Sequence, residues 1–339
     1  MNNIDWKNLP FGYMKTDYNV RCYYRDGKWS KPELSASEFL NVHIAATGLH
    51  YGQEAFEGMK AYRGSDGKVR IFRWEDNARR LISSAQGVLM AEVPMELFKE
   101  AVVTAVSKNE RFVPPYGSGA TLYIRPLLFG SGAEVGVKPA KEYDFIVFVT
   151  PVGPYFKGGV KPVDILITRD VDRAAPLGTG NIKVGGNYAA SLRAIIKARD
   201  EGFGNALFLD AKEKKYIDEC GPANFFGIKG NTYITPKSGS ILPSITNKSL
   251  MKIAESLGMK VEVRPVAVDE LAEFDEVGAC GTAAVISPIG KIVDMGTQKV
   301  YEYCKGGEAG PYTMKLYNRL TGIQQGDVED TFGWVTIIE

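Results

Sequence analysis

The sequence predicts a two-domain protein of mixed helices and strands, an α/β fold of the α+β type. The chain has 339 residues, 45% of them hydrophobic, which is enough for two ordinary cores. Segments with a helical spacing of apolar residues alternate with short segments rich in β-branched and aromatic residues. A stretch dense in proline and glycine, PVGPYFKGGVKP, interrupts this pattern near the middle of the chain. We place the domain boundary in that stretch.

The first half is predicted to combine strands and helices. We expect a short serine-capped helix at SASEFL, then strands at Leu49 to Gly64 and Lys68 to Arg73, joined by a turn. Apolar residues on one face predict a helix through WEDNARRLISSAQGVLM, and a second helix follows at about 95–109. TLYIRPLLFG and YDFIVFVTP are predicted strands, and the second is apolar on both faces, as in a central strand.

The second half is predicted to contain more strands. DILITRD is the first, and a helix at about 188–201 follows it and stops at Gly202. Short strands are expected at ALFLD, KYIDECG, FFGIKG and TYITP, with a hairpin signal at Gly230-Asn231. The remaining elements are the helix SITNKSLMKIAESLG, the strand KVEVRPV, the short helix VDELAEF, the strands EVGACGT and AVISP, and a last helix at about 312–321.

Composition and charge exclude several classes of partner. Lys and Arg number 41 against 40 Asp and Glu, so the net charge of +1 offers no basic surface to nucleic acid or to an anionic membrane. No segment resembles a signal peptide or a membrane span, so we expect a cytoplasmic protein that acts on small molecules. The four cysteines lack CxxC spacing and the only histidines are His43 and His50. Neither a disulfide framework nor a metal site is indicated.

The stretch GTGNIKVGGNYAASL places one lysine, Lys183, among glycines. Gly180, Gly185 and Gly186 carry no side chain that would block the approach of a flat ligand. Lysine forms a Schiff base with an aldehyde once desolvation or a nearby cation lowers its pKa. Lys183 is therefore a candidate attachment point for pyridoxal phosphate, although a solvated loop lysine would fit the same local sequence.

Pyridoxal phosphate makes two further demands that this sequence can meet. Its ring nitrogen needs a buried carboxylate to stay protonated, and Glu219 in KYIDECG is the candidate. Its phosphate needs N–H donors at a helix N-terminus and an arginine. The candidates for the phosphate are Ile245 and Thr246 at the head of the SITNKSL helix, Arg80 in the first amphipathic helix, and Thr282 in GACGTAAV. Each of them, taken singly, also fits an ordinary cap, surface position or strand end.

Six motifs carry a family resemblance: LHYGQEAFEGMKAY, LYIRPLLFG, NIKVGGNYAASL, IDECGPANFF, LPSITNKSL and GTAAVISPIG. In this order they resemble the motif series of the branched-chain amino-acid aminotransferases, which are fold type IV pyridoxal-phosphate enzymes. The resemblance implies a homodimer of two-domain subunits. It implies a small N-terminal α/β domain, placed at 1–156, and a larger C-terminal domain of mixed β structure with helices, at 174–339. The segment 157–173 is the expected linker, and the larger domain is expected to carry Lys183.

The resemblance also implies the activity and the cofactor contacts. The reaction would be reversible transfer of the amino group from L-leucine, L-isoleucine or L-valine to 2-oxoglutarate. It would give the branched 2-oxo acid and L-glutamate by a ping-pong Schiff-base mechanism. Lys183 would be the catalytic Schiff-base lysine and Glu219 the partner of the pyridine nitrogen. Tyr188 would bind the ring oxygen, and the phosphate would be held by Arg80, Ile245, Thr246 and Thr282.

Substrate contacts follow from the same resemblance. Tyr123, with the backbone amides of Thr282 and Ala283, is similar to the family's α-carboxylate site. Arg125 matches the arginine that receives the side-chain carboxylate of glutamate. The aliphatic side-chain pocket would be lined by Tyr51, Phe56 and Tyr188, with Val135 and Val137 from the other subunit.

The chain departs from some family members at two places. The eukaryotic mitochondrial and cytosolic members carry a redox Cys-x-x-Cys where this chain has Ala284 and Ser287, so thiol regulation of that kind is not expected. Where those members have Gly-Thr after the ring-nitrogen glutamate, this chain has Gly221-Pro222, which leaves a substrate contact from that threonine without a counterpart.

Four other functions fit the sequence less well. A dinucleotide-binding dehydrogenase is disfavoured because Lys183 stands where the third glycine of Gly-x-Gly-x-x-Gly belongs. D-amino-acid aminotransferase and aminodeoxychorismate lyase share fold type IV but are typically shorter and lack LHYGQEAFEGMK in this form. A non-catalytic ligand-binding protein of this fold would not need the full set of Lys183, Glu219 and Arg80.

Overall fold

The chain forms two compact units in a computed structural model that describes residues 4–154 and 160–338. The first unit comprises Met1–Tyr155, Ile182–Gly185 and Gly322–Glu339, and the second comprises Phe156–Asn181 and Gly186–Thr321.

The predicted boundaries of 1–156, 157–173 and 174–339 differ from these units. The segment with Lys183 and the C-terminal segment group with the first unit, although both fall in the predicted larger domain. Residues 157–159 of the predicted linker lie outside the described residues, and part of the remainder is a strand of the second unit, Val163–Thr168.

An antiparallel sheet forms the centre of the first unit. The described residues contribute nine strands to it. They are β1 (Asn19–Arg25), β2 (Lys28–Trp29), β3 (Glu33–Ser35), β4 (Glu54–Phe56), β5 (Met59–Arg63), β6 (Val69–Phe72), β7 (Thr121–Gly130), β8 (Tyr143–Val152) and β18 (Val335–Ile338). The strand order is β18-β6-β5-β7-β8-β1-β2, with β3 on β1 and β4 on β7.

Two helices cover one face of this sheet, α2 (Trp74–Gly87) and α3 (Met95–Ser107), and α1 (Thr47–Tyr51) is a single short turn. The apolar spacing predicted for α2 is observed, because Ala78, Leu81 and Ala85 are buried in the core. The even-numbered residues of β7 join that core, whereas its odd-numbered residues from 121 to 127 are half-buried on the opposite face. That opposite face carries the predicted substrate residues of β7.

The second unit is built on a mixed sheet, to which the described residues again contribute nine strands. They are β9 (Val163–Thr168), β10 (Asn205–Leu209), β11 (Ile217–Cys220), β12 (Ala223–Lys229), β13 (Thr232–Pro236), β14 (Lys260–Arg264), β15 (Glu276–Gly281), β16 (Val285–Asp294) and β17 (Lys299–Glu302). The order is β11-β10-β9-β16-β15-β12-β13-β14, and a further pairing of β11 with β12 closes a ring. The pairs β9–β10, β9–β16 and β13–β14 are parallel.

Three helices complete the chain: α4 (Gly185–Asp200), α5 (Ile245–Ser256) and α6 (Pro311–Gln325). The segment VDELAEF contains a 3-10 helix at Val268–Glu273. No helix in the described part of the chain is long and apolar enough to cross a membrane.

Several predictions about the first half were wrong. SASEFL is not helical: β3 ends within it at Ser35, and the residues that follow form an irregular segment. The strand predicted from Leu49 begins only at Glu54, because Thr47–Tyr51 is helical. Beyond these errors, five strands along the chain were not predicted: β1, β2, β3, β17 and β18. Four of them have only two to four residues, too few for a clear alternation, whereas β1 does alternate, with Val20 and Cys22 buried between half-buried neighbours.

Candidate active site

The backbone of Lys183 is held on both sides by the first unit. Its N–H donates to the hydroxyl of Ser84 on α2 at 2.9 Å, and its carbonyl accepts the N–H of Phe56 on β4 at 3.1 Å. The flanking side chains of Ile182 and Val184 are buried in the core of this unit. The lysine is therefore set on a fixed peptide and not on a solvated loop.

The three glycines near Lys183 differ in the atoms that surround them. The N–H of Gly185 donates to the side-chain carboxylate of Glu54, and a Cβ at residue 185 would collide with that carboxylate. A Cβ on Gly180 would collide with the backbone of Ser240. Gly186 alone of the three has open space around its Cα. Two of the three glycines thus make room for protein atoms, which corrects the expectation that all three make room for a ligand.

One aromatic ring lies beneath two cations. The Nζ of Lys183 is 4.7 Å from the centre of the Phe56 ring, and the Cζ of Arg125 is 4.8 Å from the same centre. Arg125 also donates from Nη2 to the Tyr123 hydroxyl at 3.0 Å. That hydroxyl lies over Gly58, where a Cβ would collide with it. The structure therefore brings together four of the predicted site residues: Lys183, Phe56, Tyr123 and Arg125.

Arg80 lies one helical turn before Ser84 on α2, so it shares the helix face that contacts the lysine peptide. Its Nε and Nη2 donate to the two carboxylate oxygens of Glu57 at 2.8 and 2.6 Å. Glu57 is fully buried and also accepts a hydrogen bond from Asn77 at 2.7 Å. A bidentate pair of this kind fixes the plane of the guanidinium.

The predicted residues of the aliphatic pocket differ in their exposure to solvent. Phe56 is half-buried beside Lys183, but Tyr51 at the end of α1 is exposed. Val135 and Val137 are 85% and 86% exposed, and the Tyr51 hydroxyl donates to the Val135 carbonyl. Both valines belong to a surface loop of the first unit.

Glu219 is a buried carboxylate on β11 of the second unit. Its Oε1 accepts the N–H of Leu242 at 2.6 Å, and its Oε2 is 3.4 Å from Nε of Arg173, which is also buried. A buried cation and a peptide N–H both favour the charged form of a carboxylate. The exposed strand end that was the alternative interpretation of Glu219 is excluded.

Arg173 also contacts the loop that leads toward the lysine. Its Nη2 donates to the carbonyls of Gly180, at 3.2 Å, and Ser240. Farther along, Thr179 and Asn187 exchange two hydrogen bonds, of 2.8 and 2.7 Å, across the start of α4. The predicted Tyr188 is half-buried in the first turn of that helix.

The predicted phosphate residues of the second unit lie at the start of α5 and at the end of β15. Ile245 and Thr246 are buried in the first turn of α5, where backbone N–H groups have no carbonyl partner within the helix. Ser244 caps this helix through its hydroxyl, which accepts the Asn247 N–H at 3.2 Å. The turn thus offers N–H groups and a positive dipole end to an anion.

Thr282 and Ala283 are half-buried in the turn between β15 and β16. The turn ends at Val285, which has a positive φ of 64°. A β-branched residue rarely adopts this conformation, and such strain is found mainly where a loop is held for function.

Four buried or half-buried residues that contact predicted site residues or the lysine segment were not themselves predicted: Glu54, Glu57, Ser84 and Arg173. Glu54 and Glu57 stand on either side of Phe56, a predicted site residue, and this closeness in the sequence is a readable signal. Ser84 gave no signal, since it meets Lys183 from 99 residues away in the sequence. A cavity of about 310 Å³ in the second unit, lined by residues that include Arg169, Asp294 and Tyr301, contains none of the predicted site residues.

Comparisons with known proteins show the family to which the chain belongs. The family model for class IV amino-transferases matches residues 54–292. A branched-chain-amino-acid aminotransferase of Haemophilus influenzae is 51% identical over 346 residues, covering 100% of each chain.

Two solved structures of the same kind are also similar. The Escherichia coli branched-chain amino acid aminotransferase matches with a TM-score of 0.80 and 29% identity, over 96% of this chain and 100% of that one. The enzyme of Thermobaculum terrenum, solved in its PLP form, matches with a TM-score of 0.79 and 26% identity, over 96% and 99%. These matches confirm the predicted family and fold. The chain belongs to the class IV aminotransferases and is a transaminase.

Proposed function

We propose that this aminotransferase acts on L-leucine, L-isoleucine and L-valine, with 2-oxoglutarate as amino acceptor and pyridoxal 5'-phosphate as cofactor. The observation that carries the proposal is the Phe56 ring, which contacts both Lys183 and Arg125. A pocket with an aromatic wall and one guanidinium suits both an aliphatic side chain and the carboxylate of glutamate. The names of the Haemophilus influenzae and Escherichia coli proteins support the same substrate class.

The residues of this chain fit the cofactor. Lys183 offers an amine on a fixed peptide, and Glu219 offers a buried carboxylate in an environment that favours its charge. The first turn of α5 offers N–H groups for the phosphate. When bound, the cofactor supplies a protonated ring that accepts the electron pair left at the substrate Cα.

Each of these residues receives a role in the proposal. Lys183 would hold the cofactor covalently until the substrate amine displaces it, and its freed amine would then serve as the base that takes the proton from the substrate Cα. Glu219 holds the proton of the ring nitrogen, and Tyr188 donates to the ring oxygen. The phosphate is held by Arg80, Ile245, Thr246 and Thr282.

The substrate is oriented by its α-carboxylate and its side chain. Tyr123 and the backbone amides of Thr282 and Ala283 bind the α-carboxylate. Arg125 binds the side-chain carboxylate of glutamate and 2-oxoglutarate, and it stays against the Phe56 and Tyr123 rings when the side chain is aliphatic. The aliphatic pocket is completed by Tyr51, Phe56 and Tyr188, together with Val135 and Val137 of the partner subunit.

The same proposal includes a homodimer in the cytoplasm. Val135 and Val137 are almost fully exposed on the single chain, and a large apolar residue in that state is typical of an interface. The cysteines, none of which is paired in the described residues, suit a reducing compartment.

The first test is a panel of amino donors. We expect the purified protein with added pyridoxal phosphate to turn over L-leucine, L-isoleucine and L-valine with 2-oxoglutarate, and to leave D-alanine unreacted. Turnover of D-alanine in place of L-leucine, or release of pyruvate from aminodeoxychorismate, would instead favour the other fold type IV activities.

The second test addresses the lysine. Lys183→Ala is expected to lose both turnover and the near-visible absorbance of the bound cofactor, because the Schiff base is proposed to form on this amine. Lys197→Ala is the matched control, since Lys197 is an exposed lysine of α4 that pairs with Asp170. An unchanged spectrum of Lys183→Ala would reject the assignment.

A further inference from the structure

Glu54 is an acidic residue in direct contact with the lysine segment. It is the first residue of β4, and its Oε1 accepts the N–H of Gly185, two residues after Lys183. Since a Cβ at residue 185 would collide with this carboxylate, the contact depends on glycine at that position. The carboxylate is thereby held in one place on the first unit.

The strand register places Glu54 on the same face as the two cations. Phe56 lies opposite Leu127 in the β4–β7 pair, and Glu54 lies opposite Phe129. Because side chains alternate along a strand, Glu54 and Phe56 share a face with Arg125 of β7. On this face the ring of Phe56 contacts both cations, and Glu54 is the next residue of β4 to share it.

The guanidinium of Arg125 is only partly hydrogen-bonded within the described residues. Its Nη2 reaches the Tyr123 hydroxyl, while its buried Nε has no hydrogen-bond partner among the described residues. Burial raises the pKa of Glu54, and the Gly185 N–H and the charge of Arg125 oppose this shift. Glu54 and Arg125 thus share one face of the sheet, and the positive charge of Arg125 favours the charged form of the Glu54 carboxylate.

Resting on the proposed function, we propose that Glu54 is a specificity-determining residue that offsets the charge of Arg125. An uncompensated guanidinium would bind the carboxylate of glutamate strongly and would be poorly solvated beside an aliphatic side chain. A fixed carboxylate nearby weakens the binding of the glutamate carboxylate. It also provides a counter-charge for the guanidinium when the substrate side chain is aliphatic. Glu54 thus lowers the affinity of the pocket for dicarboxylate substrates relative to its affinity for aliphatic ones.

The test compares variants that separate the charge from the hydrogen bond. Glu54→Gln keeps an oxygen for the Gly185 N–H but removes the charge, whereas Glu54→Asp keeps the charge on a shorter side chain. Ser84→Ala is the matched control, because it weakens the other hold on the Lys183 peptide without facing Arg125. All are measured as the full-length protein loaded with pyridoxal phosphate.

The readout is the dissociation constant of two acids, glutarate and 4-methylvalerate, measured by titration calorimetry. Glu54→Gln is expected to tighten glutarate relative to 4-methylvalerate by about tenfold, as one unit charge across a protein pocket would do. Glu54→Asp and Ser84→Ala are expected to keep the wild-type ratio. The ratio of kcat/KM for glutamate and leucine should move with the binding ratio.

Two outcomes would overturn the inference. One is a Glu54→Gln protein in which both acids bind equally more weakly, which would indicate a structural role alone. The other is an unchanged shift when Glu54→Gln is made in an Arg125→Ala background, because the effect is assigned to that pair. Binding of these acids requires no turnover, so failure here is distinct from failure of the leucine assay.

Discussion

Arg125 is the residue to which we assign the choice between aliphatic and dicarboxylate substrates in the proposed function. Its guanidinium lies against the rings of Phe56 and Tyr123, with centre distances of 4.8 and 5.2 Å. Aromatic contacts of this kind hold a cation without consuming its in-plane N–H donors. The residue can therefore remain packed when the substrate side chain is aliphatic, and it keeps donors for a carboxylate.

Arg125→Ala is expected to weaken glutamate and 2-oxoglutarate much more than leucine. Loss of a charge-assisted hydrogen bond costs about 1.5–3 kcal/mol, which lowers kcat/KM for the dicarboxylates by about 10–150-fold. Leucine should change by less than about threefold, since an apolar contact is trimmed but no charged partner is lost. Steady-state kinetics with each donor measure the difference.

Arg63→Ala serves as the control for this experiment. Arg63 belongs to the same unit, and it pairs with Glu110 at 3.3 Å on the surface. Its loss should leave both substrates unchanged. Equal losses for glutamate and leucine in Arg125→Ala would refute the role given to Arg125.

At the scale of elements, α6 depends on a residue that is distant in sequence. Glu276, at the start of β15, is buried, and its two carboxylate oxygens accept the N–H groups of Tyr312 and Thr313 at 3.0 and 2.7 Å. Gly310 makes room for this carboxylate, because a Cβ there would collide with it. The strand thus provides the N-terminal cap of the helix, which the sequence of the helix does not contain.

Glu276→Ala is expected to lower the free energy of unfolding by about 1–3 kcal/mol, since two buried N–H groups lose their acceptor. The unfolding midpoint in urea measures this change. Glu302→Ala is the matched control on the exposed side of β17, and it should stay within about 0.5 kcal/mol of the wild type. Equal midpoints for the two variants would contradict the capping role.

The elements that the sequence predicted well are those with a strong period. The helices α2, α3 and α5 and the strands β7 and β8 lie close to their predicted bounds, because the burial of one face imposes a spacing of apolar residues. The five residues of α1 are too few to show a period, and their apolar and aromatic side chains favoured a strand. Local sequence cannot settle such a segment.

The residues of the candidate site also differ in how well the sequence could predict them. Roles for Lys183 and Glu219 could be predicted because their neighbouring residues are distinctive, with glycines in one case and an apolar strand in the other. Ser84 and Arg173 were not identifiable, since each acts through a backbone or carboxylate contact with a distant segment. The need for glycine at position 185 was also not predictable, because it arises from the Glu54 carboxylate, which occupies the space that a Cβ would take. Contacts of this kind become visible only when the chain is folded.

At the scale of the whole molecule, the first unit presents apolar side chains on two connected loops. Ile44, Val135 and Val137 are each more than 80% exposed. The loops are ordered against each other, because the Glu134 N–H donates to the Ala45 carbonyl at 2.9 Å and Tyr51 donates to the Val135 carbonyl. A fixed apolar surface of this kind is more typical of an interface than of a surface that stays in water.

A second copy of this chain is the partner that we propose, and Val135→Asp tests it. In a two-fold interface each residue occurs twice, so a loss of about 1.5–3 kcal/mol per buried valine becomes about 3–6 kcal/mol per dimer. The dissociation constant should therefore rise by at least about a hundredfold. Sedimentation velocity over a range of concentrations should show a wild-type dimer and a largely monomeric variant. Val300→Asp, an exposed apolar position on β17, should remain dimeric. If the wild type sediments as a monomer at every concentration, these loops must have another role. The proposal that Val135 and Val137 of a partner subunit line the substrate pocket would then be wrong.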